Sequence, residues 1–221
     1  MSEKNIIAKH KIFLINLDKE EKWINSFVEQ GYRLNKINLF TCRYEFVKCE
    51  QTAQMPFLPE VHMDYRLFKS NEKFNEYITM FEDSGWRHVA GTKSSGAQYF
   101  ERLTAEATQD IFSDKDSKAG RYKRMADYWL ALFFAFLPII VAFSVTGLFD
   151  FSVLYNWKNL YLTPGLWEMT GGEFWRAFLF ETPFAVMRGC FAYFYLAIVL
   201  SYAYVGIRAW YSYKKEIKKQ G

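Results

Sequence analysis

Two long uncharged apolar runs near the C-terminal end constrain this chain more than any other feature. The first, YWLALFFAFLPIIVAFSVTGLF, covers residues 128–149, and the second, GCFAYFYLAIVLSYAYVGI, covers residues 189–207. A helix rises about 1.5 Å per residue and the hydrocarbon core of a bilayer is roughly 30 Å thick, so each run can cross it. Basic residues flank both runs, which favours membrane spans over buried helices of a soluble domain. We predict transmembrane helices at 128–149 and 189–210.

The distribution of Lys and Arg predicts the orientation of these spans. The basic residues before the first run and after the second are Lys115, Lys118, Arg121, Lys123, Arg124, Arg208, Lys214, Lys215, Lys218 and Lys219. The connection at 150–188 carries only Lys158, Arg176 and Arg188. Because Lys and Arg accumulate on the cytoplasmic side, we expect a multi-pass protein of the cell membrane with both termini cytoplasmic. The start, MSEKNIIAKHKIF, does not have the pattern of a signal peptide, in agreement with this orientation.

Aromatic and basic side chains mark the expected membrane interfaces. Trp and Tyr prefer the headgroup layer, and Lys and Arg are attracted by anionic lipids. The predicted membrane-interface residues are Arg121, Lys123, Arg124, Trp129, Trp157, Trp175, Arg208, Trp210, Lys214 and Lys215. Within the extracytoplasmic aromatic loop at 150–188, GGEFWRAFLFETP predicts a short amphipathic helix that ends at Pro183. We interpret 105–127 as a basic connecting helix with a break at Gly120, and 211–221 as a basic cytosolic tail.

The segment before the spans, residues 10–104, contains a weak internal repeat of about 11–50 and 62–103. The shared pattern I-x-x-F-x-x-x-G-[YW]-R begins at Ile24 in the first copy and at Ile78 in the second. Each copy predicts a strand (11–15 or 62–68), a helix capped by Asp18 or Asn71 and closed by glycine, and then a hairpin. The order β-α-β-β, twice, predicts an α+β sandwich in which two helices cover one face of an antiparallel sheet.

Several of these stretches together resemble a known family. They are EEKWINSFVEQGYRL, RYEFVKCE, MDYRLF, EYITMFEDSGWRHV, AQYFERL and IFSDKDSKAGRYKR. Over roughly residues 10–125 the chain resembles the DUF2812 family of bacterial membrane proteins, and one departure is QTAQMPFLPEVH between the two halves. The resemblance implies the layout of a cytosolic domain followed by spans, and a genomic context beside PadR-like transcription regulators. It implies no chemistry, because the domain is uncharacterised.

The residue types that carry catalysis are present without the required spacing. His10, His62 and His88 form no metal-ligand pattern, and the three cysteines form no CxxC pair. There is no GxSxG, no phosphate loop and no basic tract interleaved with aromatics, so we expect no enzyme, cofactor or nucleic-acid partner. Asp64 and Arg66 share one face of a predicted strand and, with Trp86, form a candidate partner surface.

Three functional hypotheses follow from these patterns. In the first, a membrane-anchored, non-enzymatic module binds a protein or small-molecule partner, or a second copy of itself, at the inner leaflet. In the second, the Trp-rich outer loop serves envelope stress or resistance to antimicrobial peptides. The third, a membrane enzyme that acts on lipid or peptide, requires a cluster of reactive side chains that the sequence does not indicate.

Overall fold

A computed structural model describes residues 6–13, 15–49, 58–104, 107, 111, 115–146 and 151–219. The elements are, in chain order, β1 (Ile6–His10), α1 (Leu17–Val28), β2 (Tyr32–Asn38), β3 (Arg43–Lys48), β4 (Val61–Tyr65), α2 (Asn71–Asp83), β5 (Trp86–Ala90), β6 (Ala97–Arg102), α3 (Lys115–Val145) and α4 (Gly171–Lys218). Short 3₁₀ turns lie at Phe151–Leu154, Trp157–Leu160 and Leu166–Glu168. The chain divides into two compact units, Met1–Asp127 with Ile207–Gly221, and Tyr128–Gly206.

The six strands form two three-stranded antiparallel sheets with the same arrangement. The strand orders are β1-β3-β2 and β4-β6-β5, so the last strand of each set lies in the middle. Each of the helices α1 and α2 therefore connects two parallel edge strands with a third strand between them, a split β-α-β unit. The predicted α+β class is confirmed, but the strands are grouped in two sheets rather than in one. A common origin of the two halves stays a prediction.

The first strand and the helix starts differ from the sequence-based expectation. β1 lies at Ile6–His10 rather than at 11–15, where Leu14 falls outside the described residues. The N-cap of α1 is Asn16, whose side chain accepts from the backbone N–H of Lys19, and the N-cap of α2 is Ser70. Asp18 and Asn71 instead lie within the first turns of their helices. A short polar side chain just before the first helical residue reaches the N–H three positions on, which explains the shift of both caps.

The glycine that ends each helix behaves as expected. Gly31 follows α1 with φ 82° and Gly85 follows α2 with φ 84°, and each directly precedes a strand. This left-handed conformation carries a steric penalty for residues with a Cβ, so glycine at both positions allows the sharp change from helix to strand.

The second sheet is covered on both faces. On one face, Phe100 of β6 packs against Tyr77 and Phe81 of α2 in a buried cluster. On the other face, the neighbouring Tyr99 donates a hydrogen bond to Glu20 of α1 at 2.5 Å. Successive side chains of a strand point to opposite faces, so α1 and α2 lie on different sides of this sheet. The expectation that both helices cover one face is therefore wrong for this sheet. The helix of the first half therefore completes the core of the second.

α3 is one continuous helix of 31 residues. The predicted break at Gly120 is wrong: the connecting helix and the first span belong to a single helix. Most of 105–114, and 147–149 at the end of the predicted span, lie outside the described residues. One glycine inside a helix costs only about 1 kcal/mol, which the burial of the neighbouring Ala119 and Tyr122 readily offsets.

α4 is also continuous, over 48 residues or about 72 Å. The predicted proline stop is wrong, because Pro183 lies inside this helix and joins the expected interfacial helix to the second span. Proline removes one backbone donor, so the carbonyl oxygen of Leu179, four residues earlier, loses its usual helical partner; apolar helices tolerate such a site. The hydroxyl of the preceding Thr182 donates to the carbonyl oxygen of Phe178, one residue before Leu179, at 2.6 Å.

Both α3 and α4 are long and apolar enough to span a membrane. Only 6% and 11% of the residues in their apolar windows are buried, whereas the core helix of a soluble protein is mostly buried. The two helices contact each other within the second unit, where Phe136 and Trp129 pack against Tyr202. These observations support a membrane protein with a candidate two-helix hairpin.

Candidate functional site

Charged and polar side chains from three elements meet around the first turns of α3. We name this cluster the α3 junction and define it by Asp18 and Glu21 of α1, His62 and Asp64 of β4, and Arg121, Tyr122 and Arg124 of α3. Residues three apart lie on one face of a helix, which places Asp18 with Glu21 and Arg121 with Arg124. The local sequence thus presents two acids on one helix and two arginines on another.

Arg121 is the centre of the α3 junction. Its side chain is completely buried and its guanidinium lies 2.9 Å from an oxygen of Glu21, with Asp18 as a second carboxylate partner. It also donates to the carbonyl oxygen of Met63 at 2.7 Å. Tyr122 donates to the other carboxylate oxygen of Asp18 at 2.9 Å. Two carboxylates and one carbonyl therefore surround a single buried cation.

Arg124 makes the second attachment of α3, to strand β4. It donates to Asp64 and, at 2.8 Å, to the carbonyl oxygen of Tyr65. Asp64 is 2% exposed and accepts a further hydrogen bond from the hydroxyl of Tyr77 at 2.8 Å. The start of α3 is thereby bound to α1 and to β4, and through Asp64 to α2.

The electrostatics of the α3 junction favour the ionised pair. Burial alone would raise the pKa of Glu21, but the hydrogen bond from His62 and the charge of Arg121 lower this pKa to about 2. Burial opposes the charge of Arg121, whereas the nearby Glu21 and Asp18 raise the pKa of the guanidinium. Both groups are therefore charged across the whole physiological range.

Glu20, next to the α3 junction on α1, has a different environment. Its Oε1 accepts hydrogen bonds from the hydroxyls of Tyr44 and Tyr99, at 2.6 and 2.5 Å. Burial raises the pKa of this carboxyl, against the effect of the two hydrogen bonds. Adjacent acids on one helix thus have pKa values shifted in opposite directions, because a cation is hydrogen-bonded to only one of them.

A further ion pair connects the two sheets. Glu101 of β6 is fully buried and accepts from Arg33 of β2 at 2.8 and 3.1 Å and from Arg87 of β5. Arg33 and Arg87 occupy matching positions of the repeat, but Val47 lies opposite Arg33 where Glu101 lies opposite Arg87. One carboxylate therefore binds both arginines and joins the first half to the second.

A groove of about 500 Å³ lies between the edge strands β2 and β5. It is lined by residues 36–39, 89–92 and Ser95. Both strands have an irregular register just before the groove, after Leu34 and after His88. Edge strands present backbone groups that are not paired within their own sheet, and such irregularities commonly occur near binding sites. The groove is therefore the best candidate for ligand contact in this unit.

Comparison with known proteins supplies a family. The family described as "Protein of unknown function (DUF2812)" matches residues 16–134, more than half of the chain. The chain belongs to the DUF2812 family. No curated protein and no solved structure matched it.

The matched region of this DUF2812 protein contains the whole α3 junction. It begins at Asn16, the N-cap of α1, and ends inside α3, eleven residues before the end of that helix at Val145. Every member of the junction, from Asp18 to Arg124, lies within it. The residues that attach α3 to the rest of the domain therefore lie within the family match.

The structure separates the predicted membrane-interface residues into two groups. Arg121 is buried and Arg124 is partly buried, and both face protein carboxylates rather than the surface expected for them. The physical reason is that the acids of α1 and β4 lie within hydrogen-bonding distance. Trp129 is half-buried against Tyr202. The exposed members are Lys123, Trp157, Trp175, Arg208, Trp210, Lys214 and Lys215.

The predicted partner surface is mostly inside the DUF2812 domain. Trp86 is 1% exposed and packs against His62, and Asp64 is bound by Arg124 and Tyr77. Only Arg66 is partly accessible, with its guanidinium 5.2 Å from the ring centre of Tyr77. Asp64 and Trp86 therefore contribute to the core, and the expected surface is reduced to one residue.

The aromatic residues before and within the first turns of α4 form a cluster of their own. Stacked or edge-to-face rings join Trp157, Tyr161, Trp167, Phe174 and Phe178, with neighbouring ring centres 5.2–6.2 Å apart. The buried carboxylate of α4 at Glu181 accepts from the backbone N–H groups of Leu162 and Thr163 and from Arg188. The segment is thus folded onto the helix, while Trp157 and Trp175 remain more than half exposed.

Sequence reasoning missed the α3 junction. A usable signal was present: the basic segment before the first apolar run contains arginines among lysines, and Arg is favoured over Lys in buried ion pairs. Two acids three apart on the apolar side of α1 were the second part of that signal. Over the described residues there is no group of three or more His, Cys, Asp and Glu side chains that could hold a metal ion.

Proposed function

We propose that this protein is a membrane-anchored, non-enzymatic interaction or regulatory module whose N-terminal domain binds a protein or small-molecule partner at the inner leaflet of the cell membrane. The observation that carries the proposal is the α3 junction. The helix that provides the first candidate span begins among buried ion pairs, where Arg121 and Arg124 bind acids of α1 and β4. A domain tied in this way to the start of a span is suited to present a binding surface beside the bilayer.

The distribution of exposed charge supports an arrangement with both termini cytoplasmic. Lys123 near the start of the first candidate span and Arg208, Lys214 and Lys215 after the second are exposed. Such residues interact favourably with anionic headgroups of the cytoplasmic leaflet. Fusion of a reporter that is active only in the cytosol, separately to each terminus, tests this arrangement; activity of either fusion only on the outside would contradict it.

The groove between β2 and β5 is the place where we expect the partner to bind. Its walls are edge strands, which can pair with an extended segment of another protein. Lys36 is the only ionisable side chain among the residues that line it, so the groove offers contact rather than an acid–base pair. This composition supports a binding role over a catalytic one.

A matched pair of variants tests the binding role. The change Ala90→Arg places a long charged side chain in the groove, whereas Asn75→Arg places the same side chain on the exposed face of α2. Full-length protein and both variants are purified from native membranes in mild detergent. We expect a partner that co-purifies with the wild type and with Asn75→Arg and is lost with Ala90→Arg. Recovery of the chain alone, or a partner insensitive to Ala90→Arg, would contradict the proposal.

A second candidate function rests on the exposed indole rings of Trp157 and Trp175, at 54% and 58%. Rings of this kind on an outer surface could contact membrane-active peptides or stressed envelope lipid. The test compares the sensitivity of cells that carry the wild type, a deletion, or the double change Trp157→Ala and Trp175→Ala. Unchanged sensitivity in both altered strains would eliminate this alternative.

A further inference from the structure

The turn between β2 and β3 exposes an apolar apex. Phe40 is 97% exposed and Leu39 is 36% exposed, although most large apolar side chains on these strands are buried. Ile12, one residue after Lys11, is 70% exposed. The backbone N–H of Lys11 donates to the carbonyl oxygen of Cys42 at 3.1 Å, which brings this third apolar residue beside the turn.

The apex is held in a defined conformation. Asn38 accepts hydrogen bonds from the backbone N–H groups of Phe40 and Thr41, both at 3.1 Å. Cys42 adopts a left-handed conformation with φ 50°, and the ring of His10 contacts the carbonyl oxygen of Thr41 at 3.3 Å. The turn therefore holds Phe40 outward with its own polar groups satisfied, rather than leaving it on a disordered loop.

Positive charge surrounds this apex. The segments 9–11 and 36–45 carry four Lys or Arg residues and one carboxylate, Glu45. Lys9, Lys11, Lys36 and Arg43 are all exposed. The single acid is already paired with Arg43 at 3.1 Å. An exposed apolar turn surrounded by net positive charge is complementary to an anionic lipid surface, which offers both negatively charged headgroups and apolar acyl chains.

We propose that the apex of the β2–β3 hairpin, defined by Ile12, Leu39 and Phe40, docks on the anionic surface of the bilayer that the chain spans. The basic residues around it bind headgroup phosphates, and Phe40 enters the headgroup layer. A projecting ring needs a matching pocket on a protein partner, whereas a fluid lipid surface accommodates it without one. This inference rests on the membrane anchorage in the proposed function, and it assigns a lipid contact to a part of the domain outside α3 and α4.

A site-specific probe at the apex tests the docking. Cys42, Cys49 and Cys190 are replaced by serine in the full-length chain, and Phe40→Cys is labelled with an environment-sensitive fluorophore. The labelled chain is placed, one copy per disc, in lipid nanodiscs of phosphatidylcholine with or without phosphatidylglycerol. The control carries the same label at Met80→Cys, a position on α2 that is 54% exposed.

We expect the label at position 40 to shift its emission to the blue and to be quenched by nitroxide lipids only in discs that contain phosphatidylglycerol. The label at position 80 should respond in neither type of disc. High salt, or Lys9→Gln with Lys36→Gln, should reverse the response, with a weakening of about fivefold for each charge removed. One copy per disc excludes contact between two chains as the source of the signal.

The outcomes distinguish this inference from the anchorage on which it rests. A chain that does not enter nanodiscs would overturn both. A chain that enters them while the label at position 40 remains in water, or responds equally in neutral discs and at high salt, would overturn the docking alone. Circular dichroism of the labelled chains, which should match the wild type, establishes that the substitutions leave the fold intact.

Discussion

Replacing Arg121 by methionine should destabilise the N-terminal unit strongly while preserving the volume of the side chain. The change leaves Glu21 and Asp18 without the cation that is now hydrogen-bonded to both. Against the effect of burial, the hydrogen bond from His62 and the charge of Arg121 together lower the pKa of Glu21 to about 2, so the change removes only the contribution of Arg121 and leaves that of His62. Loss of one member of a buried ion pair commonly costs about 3–5 kcal/mol, and the remaining hydrogen bond from His62 places this case at the lower end. We therefore expect a loss of about 3 kcal/mol.

Thermal unfolding of the full-length protein in detergent, followed by tryptophan fluorescence, measures this loss as a Tm lowered by roughly 10 °C. The matched control is Lys123→Met, an exposed cation two residues later on the same helix, which should have no measurable effect. The double change Arg121→Met and Glu21→Gln should recover part of the loss, because it removes the uncompensated charge together with its partner. An Arg121→Met protein as stable as the control, or a double variant no better than Arg121→Met, would refute the account of the α3 junction.

Other parts of the domain give three further predictions. Because the pKa of Glu21 is lowered in the folded state, its carboxylate stabilises the fold fully above pH 4.5 and progressively less as the pH falls toward 2. Glu21→Gln should therefore flatten that part of a pH series of Tm values, and an unchanged slope would contradict this prediction. Since burial raises the pKa of Glu20, Glu20→Gln should be at least as stable as the wild type at pH 8, and a clear fall in Tm there would show that the network requires the charged form. Gly85→Ala should destabilise the protein more than Gly31→Ala. Both glycines have a positive φ, but only at Gly85 would the new Cβ lie 2.3 Å from Thr104 Oγ1. Equal losses of unfolding free energy in chemical denaturation would contradict this.

The sequence was most informative where a pattern depends on neighbouring residues. Helix faces with a 3.6-residue period and the glycines at 31 and 85 predicted α1, α2 and the strands that follow them. Length and the lack of charge predicted two candidate spans. The class of the fold followed from these local signals. The family followed from the resemblance of several sequence stretches, and the match over residues 16–134 confirmed it.

The features that the sequence did not predict depend on contacts between distant segments. Arg121 and Arg124 lie in a basic stretch that is typical of a headgroup-facing collar, and only their approach to α1 and β4 shows that they are internal. Trp86 was assigned to a surface, but it is buried in a cluster with Phe81 of α2 and Phe100 of β6, which lie near it only in the folded domain. Pro183 was interpreted as a stop because proline commonly ends a helix, but apolar helices tolerate proline in their interior, and α4 continues through this residue.

The shared carboxylate at Glu101 makes the two halves of the domain unequal. A protein assembled from two copies of the first half would place an arginine opposite valine twice, with no acid at the position that corresponds to Glu101. Two copies of the second half would instead supply one acid for each arginine. The second half is therefore the better starting point for a symmetric redesign, and the first half expressed by itself would leave Arg33 without its carboxylate.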